Sequence, residues 1–332
     1  MVIAESLPPS PQRLQSCLGC DDVTLLPGVS VQMSAYNAMP YLVDAVESIL
    51  RQTYQDFDFV IVDDGSTDDS LDYLCSLNDP RLTIVCQPNR GTAAAGNQGL
   101  LHCRREYLAR MDADDWSDPD RLRLQMAALD ENPDVAIVGS CFAYFGDRTA
   151  GPKVPMPLDH VSIDRSLIRG DHGLVHGASM MRTRMMRQVG GYWQHRFFED
   201  WDLFLRMGEV GRLMNLPDSL YLYRAHATSL SSSRMNEMRT HYDYAIAMAA
   251  RRRSGQSLCS LEEFTATHGR SSGLSRMHQR MDTESLRQYR QSMGEIYSRA
   301  PWRGRMRLGV ASLCSPLRTL KRLRRRFGPT MN

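Results

Sequence analysis

Between Val29 and Tyr144 the chain alternates β-rich apolar runs with segments of helical spacing, and this rhythm restricts the fold more than any other feature. Strands are expected at Val29–Met33, Phe57–Val62, Leu82–Val85, Tyr107–Met111 and Val135–Tyr144. Helices are expected between them at Tyr41–Arg51, Asp68–Leu77, Thr92–Cys103 and Arg121–Leu129. In the first helix, Leu42, Ala45, Val46, Ile49 and Leu50 recur at three- and four-residue intervals. Ser66 or Thr67 is a plausible N-cap for the second. Strands recurring about every 25 residues with helices between them are βαβ units. They imply an α/β fold with a doubly wound, mostly parallel sheet flanked by helices. Such sheets bind ligands outside the carboxyl ends of their strands.

The rhythm also divides the chain. Residues 1–27 hold Pro8, Pro9, Pro11 and Pro27 with little periodicity, and read as a poorly ordered extension. Residues 28–233 form the α/β domain, and residues 234–332 form a helical C-terminal region with a basic tail. The formal charge of the whole chain is only +2, so bulk charge names no partner and gives no sign of nucleic-acid binding. Eight scattered cysteines, several inside apolar runs, suit reduced thiols of a cytoplasmic protein better than a disulfide framework. Cys17-Leu18-Gly19-Cys20 is a lone CxxC, and a structural zinc site needs four ligands. The chain has no run of 18 apolar residues, and its N-terminus lacks the basic-then-apolar pattern of a signal peptide, so neither a spanning helix nor a leader is expected.

Acidic clusters fall where strands end. Asp63-Asp64-Gly65-Ser66 sets two carboxylates at the mouth of the sheet, able to accept hydrogen bonds from a nucleobase N–H or a ribose hydroxyl; a turn with a helix cap explains the same residues. Asp112-Ala113-Asp114-Asp115 follows the fourth strand. Alternation along a strand puts Asp112 and Asp114 on one side, where hard oxygen ligands suit Mg²⁺ or Mn²⁺. An acidic loop before a helix is the plainer account. Phe198-Glu199-Asp200-Trp201 sets a carboxylate pair among aromatics, where desolvation raises basicity; a helix N-terminus also favours acids. Arg224 and His226 lie in a serine-rich stretch that could hold a diphosphate.

Taken together, these features resemble the family-2 glycosyltransferases of GT-A fold. The resemblance rests on Ser34-Ala35-Tyr36-Asn37, Val62-Asp63-Asp64-Gly65-Ser66, Asn89-Arg90-Gly91 followed by Asn97, Asp112-Ala113-Asp114-Asp115, Val189-Gly190-Gly191-Tyr192, Glu199-Asp200 and the Tyr223-Arg224-Ala225-His226 stretch, and runs from about Pro27 to Ser233. It implies an inverting transfer of a sugar from a UDP-, dTDP- or GDP-linked donor to a hydroxyl of a glycan or lipid-linked acceptor. Asp200 would be the general base, with Glu199 as the alternative. Ala35, Tyr36, Asn37, Asp63, Asp64, Asn97, Asp112 and Arg224 would hold the donor. Asp112, Asp114 and His226 would hold Mn²⁺ or Mg²⁺, and the acceptor is expected beside Trp201, His176 and Gly191. One departure stands out: Ala95-Gly96-Asn97 occupies the place where the family often has Ala-Arg-Asn, so that arginine is missing or replaced by Arg90.

Other readings meet obstacles. A nucleotidyltransferase wants a glycine-rich basic loop after the first strand, and a dinucleotide oxidoreductase wants GxGxxG there; the chain has Ala35-Tyr36-Asn37. A non-catalytic sugar-binding protein would tolerate losses at the acidic motifs, yet all are present. From Ala300 to Asn332 there is no acid, while nine arginines and lysines crowd among apolar residues. That composition predicts a basic amphipathic helix resting on an anionic membrane surface, at the inner face of the cell membrane; a solvated tail or one that binds a partner protein accounts for the same residues.

Overall fold

The computed structural model describes residues 2–4, 24–146, 150–193, 197–224, 235–268, 301–316 and several helical positions between 281 and 323. Cα packing divides the chain into two compact units, residues 1–141 with 156–221 and residues 142–155 with 222–332. The second unit thus takes in 142–155, which the sequence rhythm assigned to the α/β domain.

The first unit holds β1 (Val2–Ala4), β2 (Leu26–Ala35), α1 (Tyr41–Leu50), β3 (Phe57–Asp63), α2 (Ser70–Ser76), β4 (Leu82–Cys86), α3 (Thr92–His102), β5 (Arg105–Asp112), β6 (Trp116–Ser117) and α4 (Arg121–Glu131). It continues with most of β7 (Val135–Phe145), then α5 (His160–Ile168), β9 (Met180–Arg182), α6 (Thr183–Gln188), α7 (Glu199–Val210) and most of β10 (Arg212–Arg224), with β8 (Ala150–Val154) lying in the second unit. The strand order β1-β4-β3-β2-β5-β9-β7-β10-β6 is parallel from β1 to β5. Short β9 runs antiparallel to both β5 and β7. The sheet is therefore mixed but mostly parallel, as the alternation requires.

The central strands are covered on both faces, which is why they read as apolar runs. Val29, Val31 and Met33 of β2 are fully buried, and so are the intervening Ser30 and Gln32. The polar pair is satisfied: Ser30 Oγ accepts from the Arg104 and Arg105 amides, and Gln32 accepts from Arg110. Helix α1 buries Leu42, Ala45, Val46 and Ile49, the spacing that predicted it. Burying each of the larger three stabilises the fold by about 1.5–3 kcal/mol.

Several local expectations change. The N-terminal extension is not without structure, because Val2–Ala4 pairs in parallel with β4; residues 5–23, including the CxxC, lie outside the described residues. Helix α2 begins at Ser70 rather than Asp68, and neither Ser66 nor Thr67 caps it. Both are drawn instead to Asn37 across the sheet edge. The described cysteines are free thiols, and burial pushes Cys103 up to about 12.

In the second unit β8 pairs antiparallel with the end of β7, Phe142 opposite Val154. Helices α8 (Met235–Arg253), α9 (Leu261–His268) and α10 (Pro301–Cys314) follow. Among the described residues no helix is long and apolar enough to cross a membrane.

Candidate active site

Strand register assembles the site. Ala35 at the end of β2 lies beside Asp63 of β3, and Ser34 lies beside Asp112 of β5. Acids 49 positions apart in sequence thus reach one carboxyl edge. The loops after β2 and β3 are then stitched together. Asn37, held at a left-handed φ of 47°, accepts from the Thr67 amide at 2.7 Å and from the Asp68 amide at 3.3 Å. Its own amide donates to Ser66 Oγ. Tyr36 beside it is half exposed and Ala35 is buried.

The two aspartates of the β3 edge differ. Asp64 is buried and fully engaged: Oδ1 accepts from Gln87 Nε2 at 2.6 Å and the Arg90 amide at 2.9 Å, and Oδ2 accepts from the Gly91 amide at 2.8 Å. Burial still pushes its pKa up, opposed by these bonds. It therefore fixes the 87–91 loop. Asp63 is equally buried; Oδ2 accepts from the Ser66 amide, but Oδ1 has no hydrogen-bond partner among the described residues. A buried acceptor left so costs about 1–3 kcal/mol.

The second cluster corrects one piece of strand geometry. Strand β5 ends at Asp112, and Ala113 and Asp114 belong to the following turn, so alternation along a strand does not pair the two acids. The turn achieves the proximity, since Asp114 and Asp200 both act electrostatically on Asp112. Burial first, then these carboxylates, push Asp112 up to about 6, against Arg110 and Arg121. The Arg110 guanidinium lies 3.5 Å from Asp112 Oδ1. Tyr221 OH accepts from the Asp112 amide, and the residue at 177 must be glycine because a Cβ there would lie 2.0 Å from that hydroxyl and 2.7 Å from Asp112 Oδ2.

Glu199 and Asp200 open helix α7, where the macrodipole favours negative charge. The preceding Phe198 has φ 61°, an uncommon conformation for a bulky side chain, which sets the angle at which the acids enter. The Asp200 carboxylate accepts from the Trp201 amide at 2.8 Å. Burial and then the neighbouring Asp200 push Glu199 up to about 8, so the Glu199–Asp200 pair retains a proton well above the ordinary carboxylate range. The sign of the stability effect follows. Between about pH 5 and 8 the folded chain holds a proton that the unfolded chain, with its ordinary glutamate, has released. Stability contributed this way falls as pH rises through that window. Glu199→Gln is accordingly expected to raise the melting stability by on the order of 4 kcal/mol at pH 8 and by almost nothing at pH 4. A thermal-melt series across pH checks it, and an equal gain at both ends contradicts the assignment.

The site has members that the sequence motifs did not single out. Arg110 is buried, its Nε has no hydrogen-bond partner among the described residues, and its charge acts on Asp112, His176, Tyr192 and Glu199. The only signal for it was an arginine within an apolar strand two residues before Asp112. Tyr192, which the Val189-Gly190-Gly191-Tyr192 motif contained but to which no role was given, is the other. Asn97, expected at the donor, instead clamps it: Nδ2 donates to the Tyr192 carbonyl at 2.7 Å and Oδ1 accepts from the Tyr192 amide at 2.8 Å. The ring then lies against Gly96, where a Cβ would come within 2.7 Å of it. The absent arginine at 96 is thus accounted for by the tyrosine in its place, and Arg110 is the buried cation beside the acids.

The remaining expected residues are placed as follows. His176 Nε2 lies 2.7 Å from Tyr192 OH, and burial holds its pKa well below the ordinary histidine value, so the imidazole is neutral. Gly191, at φ 65°, precedes the clamped tyrosine. Trp201 is buried, donates to the Leu167 carbonyl and packs edge-on to Phe198, which makes it a support for the helix start. Arg224 belongs to the second unit, with its guanidinium 4.2 Å over the Phe145 ring. His226 lies outside the described residues.

The model for "Glycosyl transferase family 2" matches residues 30–190, the span that contains the strand-edge acids. EpsE of Bacillus subtilis is 36% identical over 211 residues, covering 60% of this chain and 73% of EpsE. The chain belongs to glycosyl transferase family 2. Membership makes it a glycosyltransferase. Another family relative, the amylovoran biosynthesis glycosyltransferase AmsE of Erwinia amylovora, is 29% identical over 211 residues, covering 62% of this chain and 79% of AmsE. The fold agrees: S. aureus TarS 1-349 with UDP-GlcNAc superposes with a TM-score of 0.59 at 16% identity, over 89% of this chain and 92% of that one. The mannosyltransferase PcManGT of Pyrobaculum calidifontis, with GDP-Man and Mn²⁺, gives 0.53 at 17% identity, over 94% and 84%.

Proposed function

We propose that this family-2 transferase moves a sugar from a nucleoside-diphosphate donor to a hydroxyl of a glycan or lipid-linked acceptor, with inversion. The observation that carries the reading is the register that sets Asp63 beside Ala35 and Asp112 beside Ser34, with Asp200 close enough for its charge to act on Asp112. Nucleoside, diphosphate and acceptor sites then adjoin at one sheet edge. Asp63 Oδ1 accepts from the base N–H or a ribose hydroxyl, which relieves its orphaned state. Asp64 shapes the loop beneath through its three hydrogen bonds. TarS and PcManGT, which bound UDP-GlcNAc and GDP-Man, support the donor class.

The donor set fits a divalent cation. Besides burial, the charges of Asp114 and Asp200 push Asp112 upward against Arg110 and Arg121, so three carboxylates act on one another at this edge. The described residues bring together no group of three metal-ligating side chains. Asp112 and Asp114 are two hard ligands, which leaves positions for phosphate oxygens and water, as Mg²⁺ or Mn²⁺ prefers. Such an ion offsets the charge that develops on the leaving diphosphate. Asp200 takes the proton from the acceptor hydroxyl as its oxygen attacks the anomeric carbon. Arg110 holds Asp112 from below, and the neutral His176 with Tyr192 walls the site.

The test is an incubation of the full chain with UDP-, dTDP- and GDP-sugars and a panel of acceptors, following nucleoside-diphosphate release. One donor class is expected to react, and an α-linked donor to give a β-linked product by anomeric NMR coupling. Retention of the α configuration would remove Asp200 from the role of base.

A further inference from the structure

The C-terminal helix α10 turns Gly304 and Ala311 inward and four of its large apolar residues outward. Ala311 is fully buried, and Gly304 backs onto Ser292 and Ile296. Polar contacts line the inner side: Ser285 Oγ and Thr319 Oγ1 both donate to the Ala311 carbonyl, and Arg307 donates to Gln288 Oε1. Trp302, Met306, Val310 and Leu313 are instead 59%, 65%, 44% and 82% exposed. At 100° per residue these four fall within an arc of roughly 80°. Hydrophobic burial alone would have rotated the helix the other way, so the outward stripe is shaped for something other than water.

The charges around it name the partner. Arg303 and Arg305 are exposed and flank the stripe on opposite sides, and the Arg303 guanidinium lies 5.4 Å over the Trp302 ring. Residues 300–332 carry no acid, and Arg318, Lys321, Arg322, Arg324, Arg325 and Arg326 follow the helix in sequence. A protein partner or second copy of this chain would meet an uncompensated row of cations. An anionic bilayer supplies counter-charges at the headgroups and an apolar medium a few ångströms deeper, matching both features at once.

We propose that α10 lies in the plane of an anionic lipid surface, with Trp302, Met306, Val310 and Leu313 inserted among the acyl chains and Arg303 and Arg305 on phosphates. The experiment is co-sedimentation of the full chain with phosphatidylcholine vesicles, with and without phosphatidylglycerol. Binding is expected only with the anionic lipid and is expected to weaken with salt. Replacing the four outward residues by serine should lower the partition coefficient about a hundredfold or more. R303E/R305E should lower it roughly thirtyfold or more, and decides the matter alone if the serine variant fails to fold. Equal pelleting with neutral vesicles, indifference to both sets of substitutions, or no pelleting would overturn the proposal. So would a dimer in light scattering that the serine variant dissolves while vesicle binding is nil, since the stripe would then be a contact between copies.

Discussion

Asp200→Asn is expected to lower turnover by a factor of about 10² to 10⁴ while donor binding stays nearly unchanged. Asparagine keeps the shape and the acceptor oxygen that receives the Trp201 amide, so the helix start should hold. It loses only the ability to take up a proton from the acceptor hydroxyl. The neighbouring Glu199 provides the internal control. Burial and the Asp200 charge raise its pKa, so Glu199→Gln should act mainly on stability. Steady-state kinetics with calorimetric donor binding for both variants separates the roles. An inactive Glu199→Gln beside an active Asp200→Asn would move the base by one residue.

Asp114→Ala is expected to abolish transfer and leave the fold intact, and chelation of the wild type should do the same. Asp114 is a turn residue beyond the end of β5, partly exposed, and contributes no apolar packing. Its loss should therefore change melting stability by no more than about 1 kcal/mol. In the proposed mechanism the carboxylate would help seat a cation on the donor diphosphate, where two hard oxygen ligands are the least that could hold one. Full-rate transfer in EDTA would show that Asp112 and Asp114 serve another purpose. Charge balance with Arg110 would then be the first to examine, because the two oppose each other at Asp112.

The parts of this molecule that were legible in sequence are those governed by short-range pattern. Parallel strands covered on both faces must be apolar throughout, so β2, β3, β5 and β7 announced themselves, and α1 showed its buried positions at helical spacing. Acids that end such strands must lie at the carboxyl edge of the sheet, which brought Asp63 and Asp112 together before any register was known. Local rules failed where a distant group competed. Ser66 and Thr67 are good caps for a helix, but Asn37, some thirty residues earlier, claims them. Alternation failed at Asp114 because β5 stops two residues before it.

How each candidate site residue is bonded was decided by tertiary contacts alone. Asp63 and Asp64 are adjacent and identical in type, yet the 87–91 loop saturates one and leaves the other with an open acceptor. Asn97 and Tyr192 are 95 residues apart, and Tyr221 meets the Asp112 amide from 109 residues away. The sequence by itself determined the layered α/β sheet, the carboxyl edge where the acids gather and the family. Only the folded chain determined which carboxylate is engaged, which are buried deeply enough to be pushed upward and which buried cation stands beside them. Periodicity and strand ends are written within a few residues of one another, whereas hydrogen-bond satisfaction and desolvation depend on groups that meet only once the sheet has closed.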